Sequence, residues 1–205
     1  MIFALVENRP DDAERVLAEW DPNAEPPKPY ADSSPVFDQL PGFTDSIASH
    51  LLASYDVERK DRLWPSDFAV FSTNPLNVAY GACGIASFLK QHHGEVPADV
   101  ETWLLDRPMS NKDMPPGLYV GAAGVAWPLL ELGHPERALE LMHRSYTSPL
   151  VTEENDVLHG AAGWVLAAAR IYDATGDEDL LSEATVLGDL LISRAVEQEV
   201  GIAWP

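Results

Sequence analysis

The stretch Pro116–Gly133, PGLYVGAAGVAWPLLELG, places two glycines three positions apart with alanines between them, then an apolar run long enough for a buried helix. The pattern recurs along the chain. AYGACGIASFL carries Gly81 and Gly84, YVGAAGVAWPLL carries Gly121 and Gly124, and LHGAAGWVLAAA carries Gly160 and Gly163. The first glycines stand 40 and then 39 residues apart in this numbering, a spacing that marks a repeat architecture built from one supersecondary unit.

Each glycine pair opens a helix with little polar surface. In the third copy Trp164, Val165, Leu166, Ala167, Ala168, Ile171 and Tyr172 leave almost no polar face, so that helix is expected to be buried all round. A second, amphipathic helix follows each one: ADVETWLLDR, PERALELMHRSY, and DEDLLSEATVLGDLLISRA with Leu180, Ala184, Leu187 and Leu191 in one stripe. Inner buried helices paired with outer amphipathic ones make an all-α fold, either an open superhelix or a closed ring of hairpins. The glycines favour the ring, because residues without Cβ let inner helices crowd towards an axis and let a tight turn lead into each helix. Pro128 falls inside the second inner helix and removes a backbone donor, so that helix is expected to start late or bend.

Ahead of the repeats, prolines crowd the segment from Arg9 to Gly42 and favour extended, turn-rich chain. Residues 1–60 read as a lead-in with short helices over Asp12–Trp20 and Phe43–Tyr55, and residues 61–205 as the repeats. The 205 residues hold 33 acidic and 13 basic side chains, a net charge of −20. That balance opposes binding to phosphates or anionic lipid, so neither nucleic acid nor membrane is an expected partner. The single cysteine, Cys83, excludes an internal disulfide, and no Cys/His spacing describes a complete zinc site. The start of the chain lacks a signal peptide's pattern and no transmembrane-length apolar run occurs, so a reducing cytoplasm is the expected location. P-loop, kinase and dinucleotide motifs do not occur.

These repeats resemble the LanC-like family, the lanthionine synthetase cyclases, and in particular the cyclase part of class III and IV lanthipeptide synthetases. The residues that carry the resemblance are DRLWPSDFAVFSTNPLNVAYGACGIASFL, PPGLYVGAAGVAWPLLELG and DVLHGAAGWVLAAARIYDATGD, with a terminal GIAWP, covering Asp61–Pro205. The resemblance implies an α/α toroid of about seven hairpins, of which this chain holds the first three. It also implies zinc held by two cysteines and a histidine, and closure of thioether rings when a peptide cysteine adds to a dehydrated serine or threonine. The zinc ligands belong to later repeats. The chain alone is therefore expected to bind no catalytic zinc and to be inactive unless those repeats are supplied. Expected partners are a precursor peptide, the remaining cyclase repeats and a kinase/lyase portion.

Asp156, four residues before Gly160, matches a family aspartate held to steer the proton of the attacking thiol; equally, an aspartate there can cap the following helix. His159 is a weaker candidate, since the family's acidic histidine precedes the glycine pair of the next repeat, and Tyr80 and Val120 fill the same slot here. Cys83 aligns with Ala123 and Ala162 and reads as a small buried filler. His92 and His93 read as surface loop rather than a metal pair, and Trp64, Trp103, Trp127 and Trp164 read as core before groove. Two other functions compete with the cyclase: a peptide-binding or ring-completing module without chemistry, and an α/α-toroid glycosidase, which requires a carboxylate pair that the sequence does not place.

Overall fold

The computed structural model describes residues 35–64, 67, 71–108, 114–199 and 201–204. The chain divides into units Met1–Leu40 and Pro41–Pro205, and the second holds the repeats. The helix expected over Asp12–Trp20 lies outside the described residues.

Among the described residues the chain is all-α, with seven α-helices. They are α1 (Pro35–Ser54), α2 (Ala82–His93), α3 (Ala98–Asp106), α4 (Ala122–Glu131), α5 (Pro135–Tyr146), α6 (Ala161–Thr175) and α7 (Glu178–Arg194). A short 3-10 turn spans Pro149–Thr152, and a two-stranded antiparallel ribbon pairs β1 (Val196–Glu197) with β2 (Ile202–Ala203).

The helices that follow the glycine pairs form one row, α2 packing on α4 and α4 on α6, while α5 covers α4 and α7 covers α6. The apolar stripe of α7 faces inward through Leu180, Ala184 and Leu187, all buried. Indole groups lock the layers together, because a buried N–H must find an acceptor. Trp164 of α6 is fully buried and donates to Ser145 Oγ of α5 at 2.8 Å. Trp103 of α3 donates to Arg59 O at 2.7 Å, and Trp64 to Leu51 O at 2.8 Å. The helix expected over Phe43–Tyr55 is present as the second half of α1, with Ala48 fully buried.

Of the two purposes expected of the glycine pairs, the tight turn that leads into each helix is the one that dominates their contacts. What crowds them is chiefly the backbone of the loop just upstream, folded back over the first turn of each helix. A Cβ on Gly84 would overlap Val78 O, one on Gly124 would overlap Leu118 O, and one on Gly163 would overlap Val157 O. The neighbouring repeat contributes second: Leu118 N crowds Gly163, and Val78 Cγ2 stands 3.2 Å from the Cβ position of Gly124. The reward for this close approach is capping. Helix N-termini leave backbone donors unsatisfied, and none of Gly81, Gly121 and Gly160 supplies a side-chain cap. Instead Ala82 N, Ala122 N and Ala161 N donate to Pro75 O, Pro115 O and Glu154 O at 2.8, 2.8 and 2.9 Å.

Two other expectations change. Helix α4 starts in register with its counterparts, so Pro128 lies in its interior, and the helix ends three residues later at Glu131. Helix α6 is not buried all round: Leu166 is 51 % exposed.

Gly124→Ala is expected to destabilise the fold by roughly 2–4 kcal/mol, since backbone must move to admit the methyl group. Gly188→Ala in α7, where nothing lies within 4 Å of the new Cβ, should gain roughly 0.5–1 kcal/mol from helix propensity. Urea unfolding of the two variants side by side checks both signs.

Candidate functional site

The three loops that cap the helices also bond to one another through their backbones. Val78 N and Ala79 N of the first loop donate to Tyr119 O of the second, both at 3.0 Å. In the next step Leu118 N donates to Val157 O at 2.9 Å, Tyr119 N to Leu158 O at 3.3 Å, and Gly117 N to His159 O at 2.7 Å. The loops thus form a ladder across one end of the helix row.

Asp156 occupies a repeat position in this ladder, four residues before the first glycine, that Asn77 and Gly117 hold in the other copies. Asp156 Oδ1 accepts a hydrogen bond from His159 N at 2.7 Å, and Asn77 Oδ1 accepts one from Tyr80 N at 2.7 Å. Gly117 has no side chain to do this, and the matching donor, Val120 N, turns to Leu158 O of the third loop at 3.3 Å. The side chain at this position is therefore a clasp within its own loop. It lies upstream of the helix, whose first residue is Ala161, so Asp156 closes the lead-in turn rather than acting as the helix N-cap. Asn77 is buried and also donates to Thr73 Oγ1 and Asn74 O, at 2.9 and 2.6 Å.

Asp156 differs from Asn77 in being half exposed, with 48 % of its side chain accessible. Both of its close contacts use Oδ1, and Oδ2 has no hydrogen-bond partner among the described residues. His159 lies on the same turn with Nδ1 3.7 Å from Asp156 Oδ1 and a side chain also 48 % exposed. Beside them opens a cavity of about 550 Å³, lined by Glu153, Glu154, Asp156, Ala162, Leu191 and Trp204. Its far wall comes from the outer layer. Trp204, after the ribbon, donates to Leu191 O at 2.7 Å, and Arg194 at the end of α7 donates to Asn155 Oδ1 at 2.8 Å. Sequence reasoning missed this wall; the tryptophan of the terminal GIAWP was its one signal.

Other candidates fall elsewhere. Cys83 is fully buried in the first turn of α2, and burial pushes its thiol up to about 12, which leaves it protonated and out of reach of solvent. His92 and His93 end α2 instead of lying in a loop: His92 stacks on Phe88 and meets Asp45 Oδ1 at 2.9 Å, and Gly94 terminates the helix in the left-handed conformation. Among the described residues no three His, Cys, Asp or Glu side chains converge as metal ligands, and no helix is long and apolar enough to cross a membrane. Trp64, Trp103 and Trp164 belong to the core. Trp127 instead borders a groove of about 240 Å³ between α2 and α4, its Nε1 donating to Glu131 Oε1 at 2.8 Å.

Fold and site together define a class: an all-α array of helical hairpins, capped by glycine-pair loops, with an exposed carboxylate on the third loop. Over 150 residues, 71 % of the chain, the sequence is 39 % identical to a protein of Streptomyces coelicolor named as a probable SapB synthase, and the match spans 16 % of that protein's length. The chain is thus related to a small part of a much longer synthase. No protein-family profile matches the chain.

Asp156→Asn should keep the clasp, as Asn77 does, and change stability by less than about 0.5 kcal/mol, whereas Asp156→Ala should cost about 1 kcal/mol. Asn77→Ala, which strands buried partners, should cost roughly 2–3 kcal/mol. Thermal or urea unfolding ranks the three variants. Cys83 should resist a thiol reagent at pH 8 in the folded protein and react fully once urea unfolds it, a difference read directly by absorbance.

Proposed function

We propose that this chain is the leading portion of the cyclase region of a lanthipeptide-modifying synthetase, with Asp156 facing the peptide whose thioether ring is closed. The observation that carries the reading is the 39 % identity to the probable SapB synthase, together with the exposed, half-free carboxylate that the third glycine-pair loop presents. The resemblance of the repeats to LanC-like cyclases supplies the chemistry, and the three hairpins are the opening part of an α/α toroid.

In the reaction a peptide cysteine adds its sulfur to the β-carbon of a dehydroalanine or dehydrobutyrine. One C–S bond forms, the carbon–carbon double bond becomes single, the thiol loses its proton and the α-carbon gains one. In this reading Asp156 Oδ2 takes up the thiol proton, while the bond from His159 N to Oδ1 fixes the carboxylate's direction. Magnitudes set a limit on this carboxylate alone. A carboxylate is a weaker base than a thiolate, so full transfer of the proton is uphill. The thiolate must therefore be stabilised by groups from outside this chain.

Zinc is the family's means of doing so, and the residues here do not fit it: Cys83 is buried and protonated, and the described acids and histidines do not converge. No step is assigned to zinc in this chain. The repeats that follow in the longer enzyme supply it, along with the acid that protonates the α-carbon. The precursor peptide is the substrate, and the chain on its own is not catalytic.

The test is a chimera in which the matching 150 residues replace their counterpart in the Streptomyces coelicolor synthase. Ring closure is read by mass spectrometry after thiol alkylation, and dehydration by loss of water. The chimera is expected to close rings, and Asp156→Asn to slow closure by about 10²–10⁴-fold with dehydration and melting temperature unchanged. A folded chimera that dehydrates but forms no ring would overturn the cyclase assignment, and undiminished closure by the Asn variant would remove Asp156 from the chemistry.

A further inference from the structure

Pro128 interrupts the bonding of α4 at the groove between α2 and α4. A proline in a helix interior has no N–H to give to the carbonyl four residues back, so Gly124 O lacks its ordinary helical donor, and Gly124 has no side chain to cover it. Both residues line the groove of about 240 Å³ that Trp127 borders. Along α4 its wall runs Gly124, Trp127, Pro128 and Glu131, the spacing of one helix face. These walls belong to consecutive repeats within the chain, which stay neighbours whatever repeats follow.

The chemistry of the wall selects for positive charge. Glu131 is the one charged residue among the described residues that line the groove. Its Oε1 accepts from Trp127 Nε1 at 2.8 Å, and its Oε2 has no hydrogen-bond partner among the described residues. Glu131 is also the last residue of α4, where the helix dipole is negative. A carboxylate, a helix C-terminus, an indole face and a carbonyl short of a donor all favour a cation or an N–H group. The net charge of −20 adds a long-range attraction of the same sign. Size narrows the occupant further, because the groove is smaller than the roughly 300–1,000 Å³ of sites for drug-sized molecules. It admits one side chain of an extended peptide.

We propose that this groove binds an arginine side chain of the precursor peptide, with the guanidinium at Glu131 Oε2 and over the Trp127 ring, while a backbone N–H of the same peptide donates to Gly124 O. Arginine suits the wall better than lysine, since its planar headgroup stacks on an indole and donates in its own plane. Tyr119, which also lines the groove, donates its N–H to Leu158 O, two residues past Asp156. A peptide held here therefore lies next to the loop that carries the candidate carboxylate. That the peptide is the precursor rests on the function proposed above; the selection for arginine does not.

The test uses the 205-residue chain and an acetylated, amidated alanyl-arginyl-alanine tripeptide, compared with its uncharged citrulline counterpart. Binding is read from the Trp127 indole N–H resonance, identified by its absence from Trp127→Phe, as each peptide is titrated through the millimolar range. The arginine peptide should move that resonance and bind at least about fivefold more tightly than the citrulline peptide. Glu131→Gln keeps an acceptor for Trp127 Nε1 and should erase the difference with the melting temperature unchanged. Pro128→Ala returns a donor to Gly124 O and should weaken both peptides about fivefold. A Trp127 resonance that does not move, equal binding of the two peptides, or a preference that survives Glu131→Gln would overturn the proposal, and unchanged binding by Pro128→Ala would remove Gly124 O from it. Because no ring closure is measured, these outcomes are separate from those of the chimera.

Discussion

The rest of the structure depends on the backbone of each lead-in loop lying directly on the first turn of the helix that follows. A helix start buried in a protein interior must satisfy its N–H groups, and most proteins assign that task to a capping side chain. Here the upstream carbonyls of Pro75, Pro115 and Glu154 do it, which requires the loop to approach closer than any Cβ allows. The glycine pair follows from that geometry. Glycine costs helix stability through backbone entropy, roughly 0.5–1 kcal/mol against alanine, so the first-turn glycines Gly84, Gly124 and Gly163 are tolerable only because the contact they permit caps the helix and fixes the loop.

Fixing the loops has a second effect, because loops held in the same pose at a regular spacing can bond to one another. The position four residues before the first glycine shows two ways of settling one donor. Asn77 and Asp156 clasp their own loops through a side-chain oxygen, while at Gly117 the donor turns to the neighbouring loop. Asparagine serves where the site is buried and satisfied on every atom. Aspartate stands where the site is half exposed, and a carboxylate costs little to keep charged in contact with water. The charge at Asp156 is thus not required by the clasp, and this surplus over structural need is what makes the residue a candidate for chemistry.

Much of this was legible in the sequence, for definite reasons. The helix row is visible because a fixed contact repeated three times leaves the same residues at the same spacing, and α5 and α7 are visible because a half-buried helix writes its period into its apolar positions. Cys83 could be read as filler because Ala123 and Ala162 hold its place. The ladder was not legible, since backbone-to-backbone bonds impose no side chain, and Val120 gives no hint that its N–H leaves its own loop. Nor was the exposure of Leu166, because composition describes what a helix could bury and not how many neighbours it has. The distant wall of the cavity, Trp204 with Leu191, depends on a ribbon folding back on α7, a pairing across 13 residues that no local pattern announces.

The direction of the ladder also bears on how an array of near-identical hairpins stays in order. In stacked repeats each unit contacts only its neighbours, so stability is roughly a sum of unit and interface terms, and a symmetric interface would let units pair in either sense. Donors that all point forward remove that freedom: a reversed neighbour would set N–H against N–H and leave buried groups unpaired, at roughly 1–3 kcal/mol for each. Apolar packing between α2, α4 and α6 supplies most of the attraction but discriminates poorly between orientations, because alanine and leucine faces are alike from either end. Orientation is therefore settled by a few loop hydrogen bonds, each worth less than the packing around it. The same loops carry Asp156, so the geometry that orders the repeats also holds the candidate carboxylate in place.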